Sequence, residues 1–224
     1  MMAISPVDFA SLLCSRLCHD LLSPVGALNN GLELLADETD PAMRQRCMEL
    51  LADSARTSAN KLKFFRLAFG AGGSFGEMVD PREAKAAIEG LLSDAKRTTL
   101  GWYVEADSLP KAAVKALLNL ALIANEALVR GGSLDIGAEQ QGDHLEIVVK
   151  IEGLRIILDA QIRQMLTTGA SEDGVTSRLA AAFMVHTLVA EAAGTMQVSE
   201  PAPGVMVFGA ALSPGDGRPK SVVG

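Results

Sequence analysis

The sequence is poor in aromatic residues, histidine and cysteine, and its charge is biased towards acid. Its 224 residues include one Trp, one Tyr, three His and three Cys. An odd number of cysteines without a Cys-x-x-Cys pair favours reduced thiols in a cytoplasmic protein. The net charge of −7 argues against binding nucleic acid over the whole surface. The histidines are too scattered along the chain to predict a metal site.

Long hydrophobic runs are also absent. The longest, from Leu179 to Val185, is far too short to span a bilayer. The first residues lack the basic stretch and apolar core of a secretory signal. Hydrophobic residues nevertheless make up 49% of the chain, which is enough for a well-packed core. The composition predicts a folded cytoplasmic protein with one large domain or two small ones.

Helical periodicity predicts a hairpin of two long helices at the start of the chain. Ser5 and Asp40 each precede a proline, the pattern of a capped helix start, and the helices run to about Ala36 and Phe69. Apolar steps of four and three residues mark a bundle seam in the second helix. The seam consists of Cys47, Leu51, Ala55, Ser58, Leu62, Phe65 and Phe69. We expect two copies to cover it as a dimeric four-helix bundle; alternatively, the hairpin packs on its own chain.

Beyond residue 76 the periodicity alternates between helix and strand, so the predicted fold class is α+β. Helices are expected near 81–96, 110–130, 158–166 and 178–193, and strands near 102–106, 133–139, 143–151, 195–199 and 205–212. The predicted organisation is a helical hairpin at 1–70, a glycine-rich linker at 71–76, an α/β domain at 77–213 and a flexible tail at 214–224.

His19 is the strongest candidate for a chemical role. Asp20 follows it directly and Pro24 follows it five positions on, within a predicted helix. A helical wheel places the imidazole opposite the apolar residues, and an exposed imidazole is a nucleophile near neutral pH. The simpler alternative is an ordinary surface histidine. Two features favour function: a proline that costs roughly 3 kcal/mol inside a helix, and Leu12 and Leu22 on the same outer face.

The segment around His19 resembles the H-box of sensor histidine kinases, in which an acid and then a proline follow the phosphoaccepting histidine. The region after residue 76 resembles the ATP-binding module of the same enzymes in its order of elements. Residues 178–186 and 191–196 are similar to the last helix and strand of that module. The resemblance implies phosphotransfer by residues 1–70.

The nucleotide-binding motifs of that module are damaged here. Ile151 stands where an adenine-reading aspartate belongs, and Arg155 replaces a glycine. The segment 174–178 lacks the glycine repeat that lets the backbone approach phosphates. Asn119 and Asn125 are wrongly spaced for the asparagine box that ligates magnesium. Together these departures predict that ATP is not bound.

An intact H-box beside a damaged ATP site resembles the ChpT family of dimeric histidine phosphotransferases, over residues 5–213. The resemblance implies a degenerate kinase ATPase domain that binds no cofactor, with magnesium on the partner receiver domain. It also implies a phosphorelay that serves the cell cycle. The receiver of a CckA-like hybrid kinase would phosphorylate His19, which would pass the group to CtrA-like and CpdR-like response regulators.

Other residues near His19 receive provisional roles. Asp20 could fix the imidazole tautomer, Arg16 could pair with phosphoryl oxygens and Ser23 could donate a hydrogen bond or position water; ordinary solvated side chains are the alternative. The second helix carries six basic and two acidic residues, which suits an acidic receiver pocket. The predicted docking residues are Leu12, Leu22, Gly26, Asn30, Arg56, Lys61 and Lys63.

Two other functions stay open at this point. A divergent histidine kinase would still use ATP and would label itself with labelled ATP alone. A non-catalytic dimeric binding protein for two-component regulators would keep its regulatory effect after His19 is replaced by alanine.

Overall fold

The computed structural model describes residues 4–70, 77–93, 97–171, 174–200 and 202–213. A helical hairpin precedes a layer of helices packed on a mixed β-sheet, so the α+β class is confirmed. The linker predicted at 71–76 and the tail predicted at 214–224 lie outside the described residues.

Helices α1 (Pro6–Asp37) and α2 (Pro41–Ala68) form the hairpin. The Ser5 hydroxyl accepts a hydrogen bond from the Asp8 backbone N–H at 3.1 Å and donates one to the Asp8 carboxylate at 2.7 Å. The Asp40 carboxylate caps α2 by accepting from the next free backbone N–H groups. Both helices therefore begin where their capping residues predict.

The rest of the described chain forms the α/β region. Its elements are β1 (Met78–Val79), α3 (Pro81–Leu92), β2 (Thr98–Val104), β3 (Leu109–Pro110), α4 (Lys111–Ala127), β4 (Gly132–Gln141), β5 (His144–Glu152), α5 (Ala160–Thr168), α6 (Ala180–Glu191), β6 (Thr195–Val198) and β7 (Val205–Leu212). Five strands form one sheet in the order β2-β4-β5-β7-β6, parallel between β2 and β4 and antiparallel elsewhere. Strands β1 and β3 form a separate pair, too short for periodicity to reveal.

Helix α4 lies at the centre of the core, with Leu117, Leu118 and Leu120 fully buried. Strands β4, β5 and β7 turn alternate side chains towards the helices, as half-buried strands do. Phe64 and Phe65, near the end of α2, are also buried in this core. The hairpin therefore packs on its own chain at this end, which is the alternative that the sequence left open.

The remainder of the hairpin keeps many apolar side chains uncovered in a single chain. The large ones that stay exposed are Val7, Leu22, Val25, Leu32, Leu34, Met43, Met48, Leu50 and Leu62. Several are a heptad apart on the same helix, such as Val25 and Leu32. The hairpin thus presents an apolar surface that its own α/β region does not bury.

Candidate functional site

His19 lies in the middle of α1 with its side chain 82% exposed, on the outer face that the helical wheel predicts. Its Nδ1 atom is 3.1 Å from Oδ1 of Asp20. A carboxylate can only accept, so this geometry assigns the proton to Nδ1 and leaves the Nε2 lone pair free. In this tautomer Nε2 is the ring nitrogen that is available to a partner.

Arg16 is turned inward, and its side chain is only 11% exposed. Its Nε donates to Oδ2 of Asp20 at 2.9 Å, and its Nη2 donates to Oε1 of Glu126. Burial alone would lower the pKa of Arg16, but the charge of Glu126 and the hydrogen bond with Asp20 outweigh it and raise that pKa. The sequence suggests that Arg16 pairs with phosphoryl oxygens; in the structure its guanidinium instead binds the carboxylates of Asp20 and Glu126.

Glu126, near the end of α4, is a member of this network that sequence reasoning missed. Burial raises the pKa of its carboxyl, and the neighbouring Arg16 opposes that rise. The sequence did contain a signal, because Glu126 is the only charged residue between positions 116 and 127. A lone acid in an apolar helix needs a partner.

Pro24 is buried inside α1 and changes the hydrogen bonding of Asp20. Proline has no N–H, so the Asp20 carbonyl four residues earlier loses its usual helical donor. Lys61 of α2 replaces that donor, with its Nζ 2.9 Å from the Asp20 carbonyl oxygen. Lys61, predicted to dock a partner, instead fixes the backbone beside His19.

The other predicted site residues remain spread along the two helices. Leu22 is 70% exposed. Ser23, Asn30 and Lys63 are also exposed, whereas Leu12 and Gly26 are half-buried. Arg56 is exposed and forms a 3.1 Å ion pair with Asp53 of the same helix.

Two residues at the positions of the damaged nucleotide motifs, Ile151 and Asn119, are buried in the core. Ile151 is fully buried in β5, where it belongs to the core. Asn119 is also fully buried, and its Nδ2 donates to the carbonyls of Ala68 at 3.2 Å and Lys115 at 2.8 Å. Within the described ranges, no group of three or more His, Cys, Asp or Glu side chains could hold a metal ion.

Comparison with known proteins identifies the class of protein to which an exposed histidine on a helical hairpin, joined to this α/β region, belongs. The family description "histidine phosphotransferase C-terminal domain" matches residues 81–204. Protein phosphotransferase ChpT of Brucella abortus (strain 2308) is 36% identical over 197 residues, which are 88% of this chain and 91% of that protein. A solved bacterial phosphotransferase has a TM-score of 0.82 and 32% identity, covering 93% of this chain and 98% of its own.

The chain therefore belongs to the histidine phosphotransferase family, and its function is phosphotransfer. None of the helices in the described part of the chain has the length and apolarity needed to cross a membrane.

Proposed function

We propose that His19 carries the phosphoryl group in a phosphorelay, accepting it from a receiver-domain aspartyl phosphate and passing it to the receivers of response regulators. The observation that carries this proposal is the exposed imidazole whose Nδ1 faces Asp20. A receiver domain brings its own magnesium and charged groups, so the phosphotransferase needs an accessible nucleophile and a surface that positions it.

The chemical step is a displacement at phosphorus. The Nε2 lone pair of His19 forms the new P–N bond while the P–O bond to the donor aspartate breaks. The aspartate leaves as a carboxylate with that electron pair. The proton on Nδ1 stays hydrogen-bonded to Asp20, which stabilises the developing imidazolium charge. The reverse sequence on a second receiver returns His19 to its starting state.

The proposed donor and acceptors are receiver domains of the classes that the family resemblance implies: CckA-like for the donor, and CtrA-like and CpdR-like for the acceptors. Leu22, exposed three residues from His19, provides an apolar contact beside the nucleophile. Lys63 and the other exposed cations of α2 suit the acidic pocket of a receiver.

We also propose that this chain works as a homodimer without ATP. The exposed apolar side chains of the hairpin, such as Val25 and Leu32, favour association with a second copy. The buried Ile151 at the adenine-reading position supports the absence of nucleotide binding. The free cysteines Cys14, Cys18 and Cys47 suit a reducing cytoplasm.

The direct test is transfer from a receiver domain of a hybrid kinase that has first been labelled with radioactive acetyl phosphate, which leaves as acetate. Wild type and the matched exposed-histidine variant His144→Ala should acquire the label, whereas His19→Ala should not. Incubation with labelled ATP alone should label none of them. Label on His19→Ala would refute His19 as the phosphoacceptor, and self-labelling with ATP would indicate a kinase.

A regulatory assay separates transfer from simple binding. Replacing His19 by alanine should abolish the effect of the chain on its response regulator. If His19→Ala keeps the full effect, the protein acts by sequestration instead.

A further inference from the structure

Three consecutive hydrogen bonds connect the α/β region to the His19 imidazole: Arg16 donates to Glu126 and to Asp20, and Asp20 contacts Nδ1 of His19. We propose that Glu126 is a positioning residue for phosphoryl transfer. Acting through Arg16 and Asp20, it holds the His19 imidazole in the tautomer that leaves Nε2 free to attack. The inference rests on the proposed function, since it requires His19 to be the phosphoacceptor.

Asp20 is the element that contacts the imidazole, and it has to be held in place. A histidine side chain in water prefers the tautomer with the proton on Nε2, which blocks the outward nitrogen. An acceptor at Nδ1 reverses that preference. The second Asp20 oxygen accepts from Arg16, so the plane of the carboxylate is fixed and its first oxygen stays directed at His19.

Arg16 alone would hold Asp20 weakly, because an isolated ion pair one turn apart on an exposed helix contributes little. Here the Arg16 side chain is largely buried, and its guanidinium has a second carboxylate partner in Glu126. The planar guanidinium presents separate N–H groups to the two acids. Glu126 thus fixes the position of the cation that fixes Asp20.

Glu126 comes from α4, at a sequence distance of 110 residues from Arg16. The α/β region therefore supplies a side chain to the phosphoacceptor network, although the motifs of its ATP site are damaged. This contribution gives the region a role in the chemistry that does not require nucleotide. It also predicts that the charge network around His19 is incomplete in the hairpin alone.

The test measures the tautomer of His19 in the full chain labelled with 15N-histidine. Long-range 1H–15N spectra report which ring nitrogen carries the proton, and His19→Gln and His144→Gln variants assign the three histidines. We expect the Nδ1–H tautomer in wild type and a shift towards Nε2–H in Glu126→Ala. Glu126→Gln should retain the wild-type tautomer, because its amide oxygen still accepts from Arg16.

A chemical readout accompanies the spectra. Phosphoramidate transfers its phosphoryl group to imidazole with loss of ammonia, and 31P spectra distinguish Nε2 from Nδ1 phosphohistidine. Wild type should be phosphorylated at Nε2 of His19. Glu126→Ala should react about tenfold more slowly or form Nδ1 phosphohistidine, as expected for a coupled network. Glu152→Ala is the control, since it removes a carboxylate that also pairs with a cation, Lys150, in the α/β region.

These readouts use no receiver domain, so the two hypotheses fail separately. A wild-type tautomer and wild-type reaction rate in folded Glu126→Ala would overturn the positioning role. A wild-type protein that no phosphorylated receiver labels would overturn the proposed function. Equal losses in Glu126→Ala and Glu152→Ala would also overturn the positioning role, because the effect would then not be specific to the network.

Discussion

Lys61 donates a hydrogen bond of 2.9 Å to the main-chain carbonyl of Asp20, across the interface between α2 and α1. That carbonyl is the one that Pro24 leaves without a helical donor. The effects of the proline and the lysine are therefore coupled. The first opens the hydrogen-bond ladder beside His19, and the second closes it from the neighbouring helix.

This relationship predicts strong coupling between positions 24 and 61. Lys61→Met should lower the free energy of unfolding by about 1–3 kcal/mol, because a partly buried carbonyl loses its charged donor. In a Pro24→Ala background the same substitution should change the free energy of unfolding little, since the backbone N–H restored at position 24 then donates to the Asp20 carbonyl. Urea unfolding of the four proteins in the cycle gives the coupling.

The exposed Lys63 supplies the control for this cycle. Lys63→Met should change stability by less than about 0.5 kcal/mol in either background. If Lys61→Met and Pro24→Ala change the free energy of unfolding additively, Lys61 does not replace the donor that Pro24 removes.

The raised pKa of Glu126 predicts a particular dependence of stability on pH. The folded protein binds the proton of the Glu126 carboxyl more tightly than the unfolded chain does. Protonation of Glu126 therefore stabilises the fold, fully so below the ordinary glutamate pKa. This stabilisation is lost as the pH rises through the raised value. Glu126→Gln removes this titration. The free energy of unfolding of wild type minus that of Glu126→Gln should therefore fall as the pH rises from about 4 towards 7.

Asp80 gives a control of opposite sign. Hydrogen bonds from Arg82 lower the pKa of Asp80, so its contribution is present above the ordinary aspartate pKa and lost as the pH falls. Comparison with Asp80→Asn should show wild-type stability declining towards acid pH. If the free energies of unfolding of wild type and Glu126→Gln differ by the same amount at every pH in this range, the pKa of Glu126 is not raised.

Leu22 is expected to matter for docking and not for folding. Its side chain is 70% exposed, so Leu22→Asp opens no cavity, yet it places a negative charge beside the imidazole. Transfer to and from a receiver should slow by roughly tenfold or more, with an unchanged unfolding midpoint. The control is Leu154→Asp at an exposed position of the α/β region, which should transfer at the wild-type rate. A wild-type rate in Leu22→Asp would place the docking surface elsewhere.

A charge in the hairpin seam should weaken the proposed homodimer. Leu62 is 49% exposed in the single chain, so Leu62→Asp should dissociate the dimer while the monomer stays folded. Leu28 is half-buried, so Leu28→Asp should lower the stability of the monomer as well. Light scattering and thermal unfolding separate the two effects, with the 93% exposed Leu154→Asp as the control. A wild-type monomer at micromolar concentration would contradict the dimer.

The sequence predicted best what short-range chemistry determines. The capping residues Ser5 and Asp40 locate the starts of α1 and α2. Alternation predicted strands near 133–139 and 143–151, which form the antiparallel pair β4 and β5 around a turn with Gly142 at φ +58°. The glycine tolerates that left-handed conformation. Each of these signals lies within a few residues of the structure it specifies.

The sequence failed where distant segments meet. A helical wheel treats α1 as an isolated cylinder, so it could not place Arg16 inward against Glu126. Phe9 of α1 packs edge-on against Phe183 of α6, with 5.0 Å between the ring centroids, which is another contact between distant segments. One side of α1 that the wheel assigned to solvent is therefore covered by the α/β region. The interior role of Lys61 was missed for the same reason.

The buried Asn119 has a mechanical consequence. Its amide ties the end of α2 to α4, and two turns further along α4 Glu126 holds the middle of α1. Helix α4 thus contacts both helices of the hairpin. These two contacts, at different heights of α4, restrict movement of both hairpin arms relative to the α/β region.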